Sequence, residues 1–103
     1  MNILEEANQL VNGDRNKDYG SPLEDFTRTA RLWSVILGVE VTPEQVGMCM
    51  ILLKVSRQCN KHKRDNLVDI AGYAHTLEKV FDEKFSRPSD GAQEVVLEKE
   101  VIP

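Results

Sequence analysis

Hydrophobic and polar positions alternate with a helical period along most of the chain. Ile3, Leu4, Ala7, Leu10 and Val11 fall at i, i+1, i+4, i+7 and i+8, the spacing of one helix face, and Asn12-Gly13 supplies a stop. The following Asp14-Arg15-Asn16-Lys17-Asp18-Tyr19-Gly20 has no period and reads as a polar loop. Ser21-Pro22-Leu23-Glu24 then offers an N-cap, a proline at the first helical position and the glutamate of a capping box. The predicted buried stripe of this second helix is Leu23, Phe26, Ala30, Trp33 and Leu37, with Gly38 as its stop. Thr42-Pro43-Glu44-Gln45 repeats the same start device, with Val41 and Val46 placed as a hydrophobic staple.

From Val46 to Val55 nearly every position is apolar, which predicts a central helix packed by neighbours all round. Its polar exceptions, Lys54 and Arg57, stand three residues apart and so share a face. Asn60-Lys61-His62-Lys63 breaks the pattern. A last long helix starts near Arg64 or Asp65, with a predicted core stripe of Leu67, Ile70, Ala74, Leu77 and Phe81, and ends around Phe85. Ser86 to Gly91 has a linker composition, and Val95-Val96-Leu97 with Val101-Ile102 are too short to make a core. No strand pattern competes. The expected architecture is all-α: a compact bundle of four main helices over residues 1–85, followed by a short irregular tail over 86–103 that is flexible or docks on a neighbouring subunit.

Composition narrows the classes of function. The 103 residues fit one domain, and 41% hydrophobic with 29% charged residues is an ordinary globular balance. The longest apolar run falls far short of the ~20 residues of a bilayer helix, and Glu5 and Glu6 stand where an export signal carries Lys or Arg. Two cysteines make no disulfide framework, so the expected location is the cytoplasm. A net charge of −4 argues against long nucleic acid as a partner, and no membrane is expected. The negative charge is not uniform, since Arg57 to Arg64 holds five of the fifteen Lys, Arg and His residues. A domain of this size buries a modest share of its surface, so association into a homo-oligomer is expected.

Standard catalytic constellations are missing. The chain has neither a Gly-x-Gly-x-x-Gly nor a Walker loop, and His62 and His75 are not spaced as ligands on one turn. His75 falls away from the predicted core stripe and reads as a solvated surface histidine, while Cys49 reads as core packing. Cys59 lies beside basic residues, but no histidine partner can be placed for it.

What remains is a polar set in two places. One is the loop carrying Arg15, Lys17, Asp18 and Tyr19, which combines an aromatic platform with donors and a tight turn, as suits a nucleobase or a phosphate. The other is the last helix, where Asn66, Asp69 and Tyr73 stand at i, i+3 and i+7. At 100° per residue they flank the core stripe, so they are expected to be partly buried. A half-buried carboxylate calls for a cation or a metal, and Lys54, Arg57, Arg15 and Lys17 are the candidates for Asp69.

The blocks Asp14 to Pro22, Leu32-Trp33, Leu52-Leu53-Lys54-Val55-Ser56-Arg57 and Arg64 to Ala74 resemble a phage and prophage family of unknown function. More distantly, the Lys-Asp-Tyr-Gly loop, the Lys-x-x-Arg helix and the Asp-x-x-x-Asp helix with its tyrosine resemble the phage nucleotide-modification-associated domain. In layout both are similar to MazG-like all-α nucleoside triphosphate pyrophosphohydrolases, which hold Mg²⁺ through Glu-x-x-Glu and Glu-x-x-Asp pairs. That resemblance sets Asn66-x-x-Asp69, with Asp65 one position earlier, where the second pair stands, and makes Asp65 and Asp69 the implied Mg²⁺ ligands. The chain has no Glu-x-x-Glu, and Asn66 replaces a carboxylate. The resemblance therefore implies binding of a nucleotide or another small phosphorylated ligand first, for nucleotide metabolism or for sequestering a defence signal. Arg15, Lys17, Lys54 and Arg57 would meet its phosphates, Tyr19 or Tyr73 its base, with Asp18 and Asn66 beside them. Mg²⁺-dependent pyrophosphate hydrolysis is the alternative. A non-enzymatic module that binds a host or phage protein is the third reading.

Overall fold

The computed structural model describes residues 1–13 and 15–85, and the expected tail over 86–103 lies outside them. The described residues form helices and their connections, without a strand: α1 (Ile3–Val11), α2 (Arg15–Tyr19), α3 (Pro22–Leu37), α4 (Pro43–Asn60) and α5 (Arg64–Phe85). Four of them are the four predicted helices, at nearly the predicted boundaries. The Ser21–Glu24 and Thr42–Gln45 capping boxes are both closed, each side chain satisfying the other residue's backbone N–H. Gly38 ends α3 at φ 70°, a left-handed conformation that glycine adopts without strain. A third capping box, Asn2 with Glu5, opens α1.

The fifth helix is a correction. Arg15–Tyr19 is one helical turn and not a loop. A single turn whose residues are all exposed has no buried face, so it leaves no apolar period to read. It stops at Gly20, whose φ of 82° lets its N–H reach back to the Asn16 carbonyl at 3.0 Å.

α4 and α5 form an antiparallel hairpin in one steady register. Glu44 meets Lys84, Gly47 lies against Leu77, Lys54 meets Asp69, and Gln58 meets Asn66. α1 packs on α5 in the parallel sense: Arg64 bonds Glu6 and, at 2.9 Å, the Met1 carbonyl, while Val11 faces Gly72. α3 joins them through a core of Phe26, Ala30, Val46, Leu77 and Val80, onto which Leu23, Trp33, Val41, Ile51 and Tyr73 pack. Val41 and Val46 of the predicted staple both belong to it.

Several burial expectations fail for one reason: the bundle offers fewer neighbours than the pattern assumed. Among the described residues α4 packs chiefly on α3 and α5, and Met48, Cys49, Leu52, Leu53 and Val55 are exposed, so the described helices do not surround it. Leu37 at the end of α3 is exposed too, as are Leu4 and Leu10 of α1, which buries only Ala7 and Val11. On α5 the fully buried apolar residues are Val68, Leu77 and Val80, while Ala74 is exposed and Leu67, Ile70 and Phe81 are half-buried. α5 is packed by α1 and α4 on different faces, so its buried surface is wider than the single stripe read from the wheel. Among the described residues no helix is long and apolar enough to cross a membrane.

Candidate functional site

The polar residues singled out in the sequence divide into two neighbouring groups along α5. Asn66, Asp69, Tyr73 and Thr76 descend one side of that helix at intervals of three or four residues, so each stands about a turn from the next. Asn66 is buried, and Asp69 and Tyr73 are half-buried, as their wheel positions beside the core imply.

The first group lies between α4 and α5. Lys54 Nζ meets Asp69 Oδ2 at 3.0 Å, so the cation that balances Asp69 comes from α4. Arg57, one turn further along α4, is exposed. Asn66 donates its side-chain amide to Gln58 Oε1 at 3.2 Å, and the same oxygen accepts the Lys63 backbone N–H at 3.1 Å. The Gln58 amide nitrogen lies 2.6 Å from His62 Nδ1. Gln58 thus ties the turn between α4 and α5 to both helices. The sequence reading passed over it, because a lone glutamine after an apolar run carries no motif. Its place one turn before a helix end was the available signal.

These contacts bear on the Mg²⁺ set. Asp69 is engaged by Lys54, Asp65 is exposed a turn earlier, and Asn66 is turned to Gln58. Among the described residues no three Asp, Glu, His or Cys side chains gather as metal ligands. Two carboxylates, one of them paired to a lysine, do not make the donor set that a hard divalent cation bridging phosphates requires. The described residues do not fit Mg²⁺.

The second group surrounds α2. A small recess of about 20 Å³ is lined by Arg15, Asn16 and Tyr19 from α2, Asp25 and Phe26 from α3, and Tyr73 and Thr76 from α5. The loop and last-helix candidates therefore meet here through Tyr73, which also packs on the core. On the other flank of α2 lies an open groove of about 360 Å³, lined by Gln9, Leu10, Gly13, Arg15, Asp18 and Tyr19. Tyr19 is 50% exposed, and the Arg15 guanidinium stands 5.9 Å from the centre of its ring. Lys17 is exposed on the same turn. The turn is held in place from α3, where Arg28 donates to the Tyr19 carbonyl at 2.9 Å and pairs with Asp25. Ser21 reaches across to Glu83 at 2.8 Å and fixes the start of α3 against α5.

The structure brings Arg15, Asp18 and Tyr19 onto one groove and sets Tyr73 behind them. Lys54, Arg57, Asn66, Asp65 and Asp69 belong to the α4–α5 face instead. His75 is not a solvated histidine: it is half-buried, Nδ1 lies 3.3 Å from Glu78, and Nε2 is shielded without a protein partner. Cys49 and Cys59 are both free and exposed.

Comparison with known proteins gives a family but no activity. Residues 2–81 match the model of a family described as a domain of unknown function, DUF6378. The chain is 49% identical over 82 residues to the "Gene 55 protein" of Mycobacterium phage L5, covering 78% of this chain and 53% of that protein. It is 43% identical over 82 residues to the "Gene 55 protein" of Mycobacterium phage D29, covering 79% and 54%. The chain thus spans about half the length of these phage relatives. No solved structure matches it.

Proposed function

For this chain, which belongs to the DUF6378 family of domains of unknown function, we propose binding of a nucleotide or a closely related phosphorylated ligand in the groove beside α2. One observation carries the reading: Arg15 and the exposed ring of Tyr19 stand together on one short turn that lines an open groove. An exposed aromatic ring gives a base a stacking surface, and an adjacent guanidinium gives phosphate a bidentate donor. The groove, at about 360 Å³, falls within the range of small-molecule sites. Its supports are rigid helices, with Arg28 holding the turn from α3.

The reading is one of binding, for nucleotide metabolism or for capture of a nucleotide signal, and the phage relatives favour the cytoplasm of a host cell as its setting. The resemblance to MazG-like pyrophosphohydrolases supports a nucleotide as ligand. It does not extend to hydrolysis here, because the carboxylates that would hold Mg²⁺ are too few among the described residues.

A thermal-shift panel of mono-, di-, tri- and cyclic nucleotides, with and without Mg²⁺, tests the proposal. A ligand at one hundred times its Kd adds about 2.7 kcal/mol to stability, a rise in melting temperature readily seen. Arg15→Ala and Tyr19→Ala should each remove the shift while leaving the unliganded melting temperature within a few degrees. No shift with any nucleotide refutes binding. A shift accompanied by pyrophosphate release would restore the catalytic reading.

A further inference from the structure

We infer that the outer face of α4, extended by the end of α3, is the seam of an antiparallel homodimer. Met48, Leu52, Val55 and Cys59 are exposed along α4 and alternate at intervals of four, three and four residues, the spacing of a coiled-coil seam. Nothing within the described chain covers them, because α4 already packs α3 and α5 with its opposite side. Across the short connection from α4, Val35 and Ile36 of α3 are 79% and 84% exposed, the highest values among the described large aliphatic residues.

The patch is large enough to form the centre of a dimer interface. Met48, Leu52, Val55, Val35 and Ile36 together amount to about three fully exposed side chains, on the order of 300 Å² of apolar surface. The largest apolar patch on a typical monomer is roughly 300–600 Å² and is often functional. A standard interface takes about 800 Å² from each partner, of which roughly 65% is apolar in homodimers. A patch of this size supplies the apolar centre of such an interface, and a twofold pairing supplies its complement from the second chain.

Charge selects the orientation. Glu40 stands just before the N-terminal end of α4 and Lys61 and Lys63 just past its C-terminal end, all three exposed, whereas Glu44 is turned to Lys84 of α5 and Arg57 to the α4–α5 side. A parallel pair would superpose like charges, whereas an antiparallel pair sets each acidic end against the partner's basic end. Met48 then faces Cys59 of the second copy, and Leu52 faces its Val55. Lys61 and Lys63 thereby acquire a role independent of the α2 groove.

Light scattering on the full chain, compared with Leu52→Glu, tests the inference. The wild-type chain should elute at twice the monomer mass, and Leu52→Glu at the monomer mass with its helical circular dichroism retained. A monomeric wild-type chain at hundreds of micromolar overturns the proposal, in favour of cover by residues 86–103 or by a different protein. A dimer that survives Leu52→Glu overturns the choice of surface. Should Leu52→Glu fail to fold, Met48→Cys in a Cys49→Ser background decides: diamide should give a covalent dimer that disappears when Cys59→Ser is added. A cross-link that persists without Cys59, or never forms, refutes the antiparallel seam.

Discussion

Gly47→Ala and Gly72→Ala should change stability in opposite directions, although both replace a glycine inside a helix. In an exposed helix interior, alanine is favoured over glycine by about 1 kcal/mol, because glycine loses more backbone freedom on folding. Gly72 in α5 keeps most of that gain, since a Cβ there meets only Val11 Cγ2 at 3.9 Å, an ordinary contact. Gly47 in α4 does not. A Cβ at Gly47 would stand 2.5 Å from Leu77 Cγ, and Leu77 is itself 8% exposed and held in the core beside Val46 and Val80. The branch carbon, not a free end, must move, so the hairpin has to open or Leu77 must leave its rotamer. Overpacking of this kind costs about 1–3 kcal/mol, which outweighs the helix gain and leaves a net loss of about 1 kcal/mol. For a domain of this size that lowers the melting temperature by about 4–8 °C, while Gly72→Ala should raise it by a few degrees. Thermal denaturation followed by circular dichroism reads both. Equal stabilisation by the two substitutions would refute the close approach of α4 to α5 on which the register rests.

Other consequences follow from the same register. Gln58→Ala strips Asn66 and the Lys63 N–H of their common acceptor, and should destabilise the chain by about 1–3 kcal/mol because Asn66 is buried. Gln58→Glu, which keeps the acceptor, should lose less. In a double-mutant cycle, Lys54→Ala and Asp69→Ala should couple by roughly 0.5–1 kcal/mol, since the pair is partly exposed and water screens it. Zero coupling in chemical denaturation would mean that the two side chains do not meet in solution. Thr42→Ala removes the acceptor for the Gln45 N–H and should cost about 1 kcal/mol. An unchanged unfolding midpoint would contradict the cap.

Helix ends were legible because caps are local. Ser21 with Glu24 and Thr42 with Gln45 fix two starts through side chains three residues apart, whatever lies elsewhere in the fold, and Gly38 fixes a stop in the same way. The flanking position of Asn66, Asp69 and Tyr73 was legible for a similar reason, since a wheel needs only the helix itself. Burial was less so, because it depends on which helices come to lie alongside. The run from Val46 to Val55 states that α4 has apolar surface on every side, but not that one of those sides faces no other described helix. Ala74 and Val68 exchanged roles on α5 because α1 packs on a face that the single-stripe reading left to solvent. Within the site, Arg15 and Tyr19 announced themselves by residue type, and their union on a helical turn did not. Gln58 carries no signature at all and becomes visible only once the α4–α5 turn closes around it.

The central claim, a nucleotide held in the groove beside α2, is tested most directly by amide chemical shifts of the ¹⁵N-labelled chain as nucleoside mono- and triphosphates are added. The account predicts saturable changes concentrated from Gln9 to Gly20, with weaker ones at Tyr73 and Thr76, where the recess behind α2 closes. A spectrum that does not move, or one that moves only from Arg57 to Arg64, would contradict it.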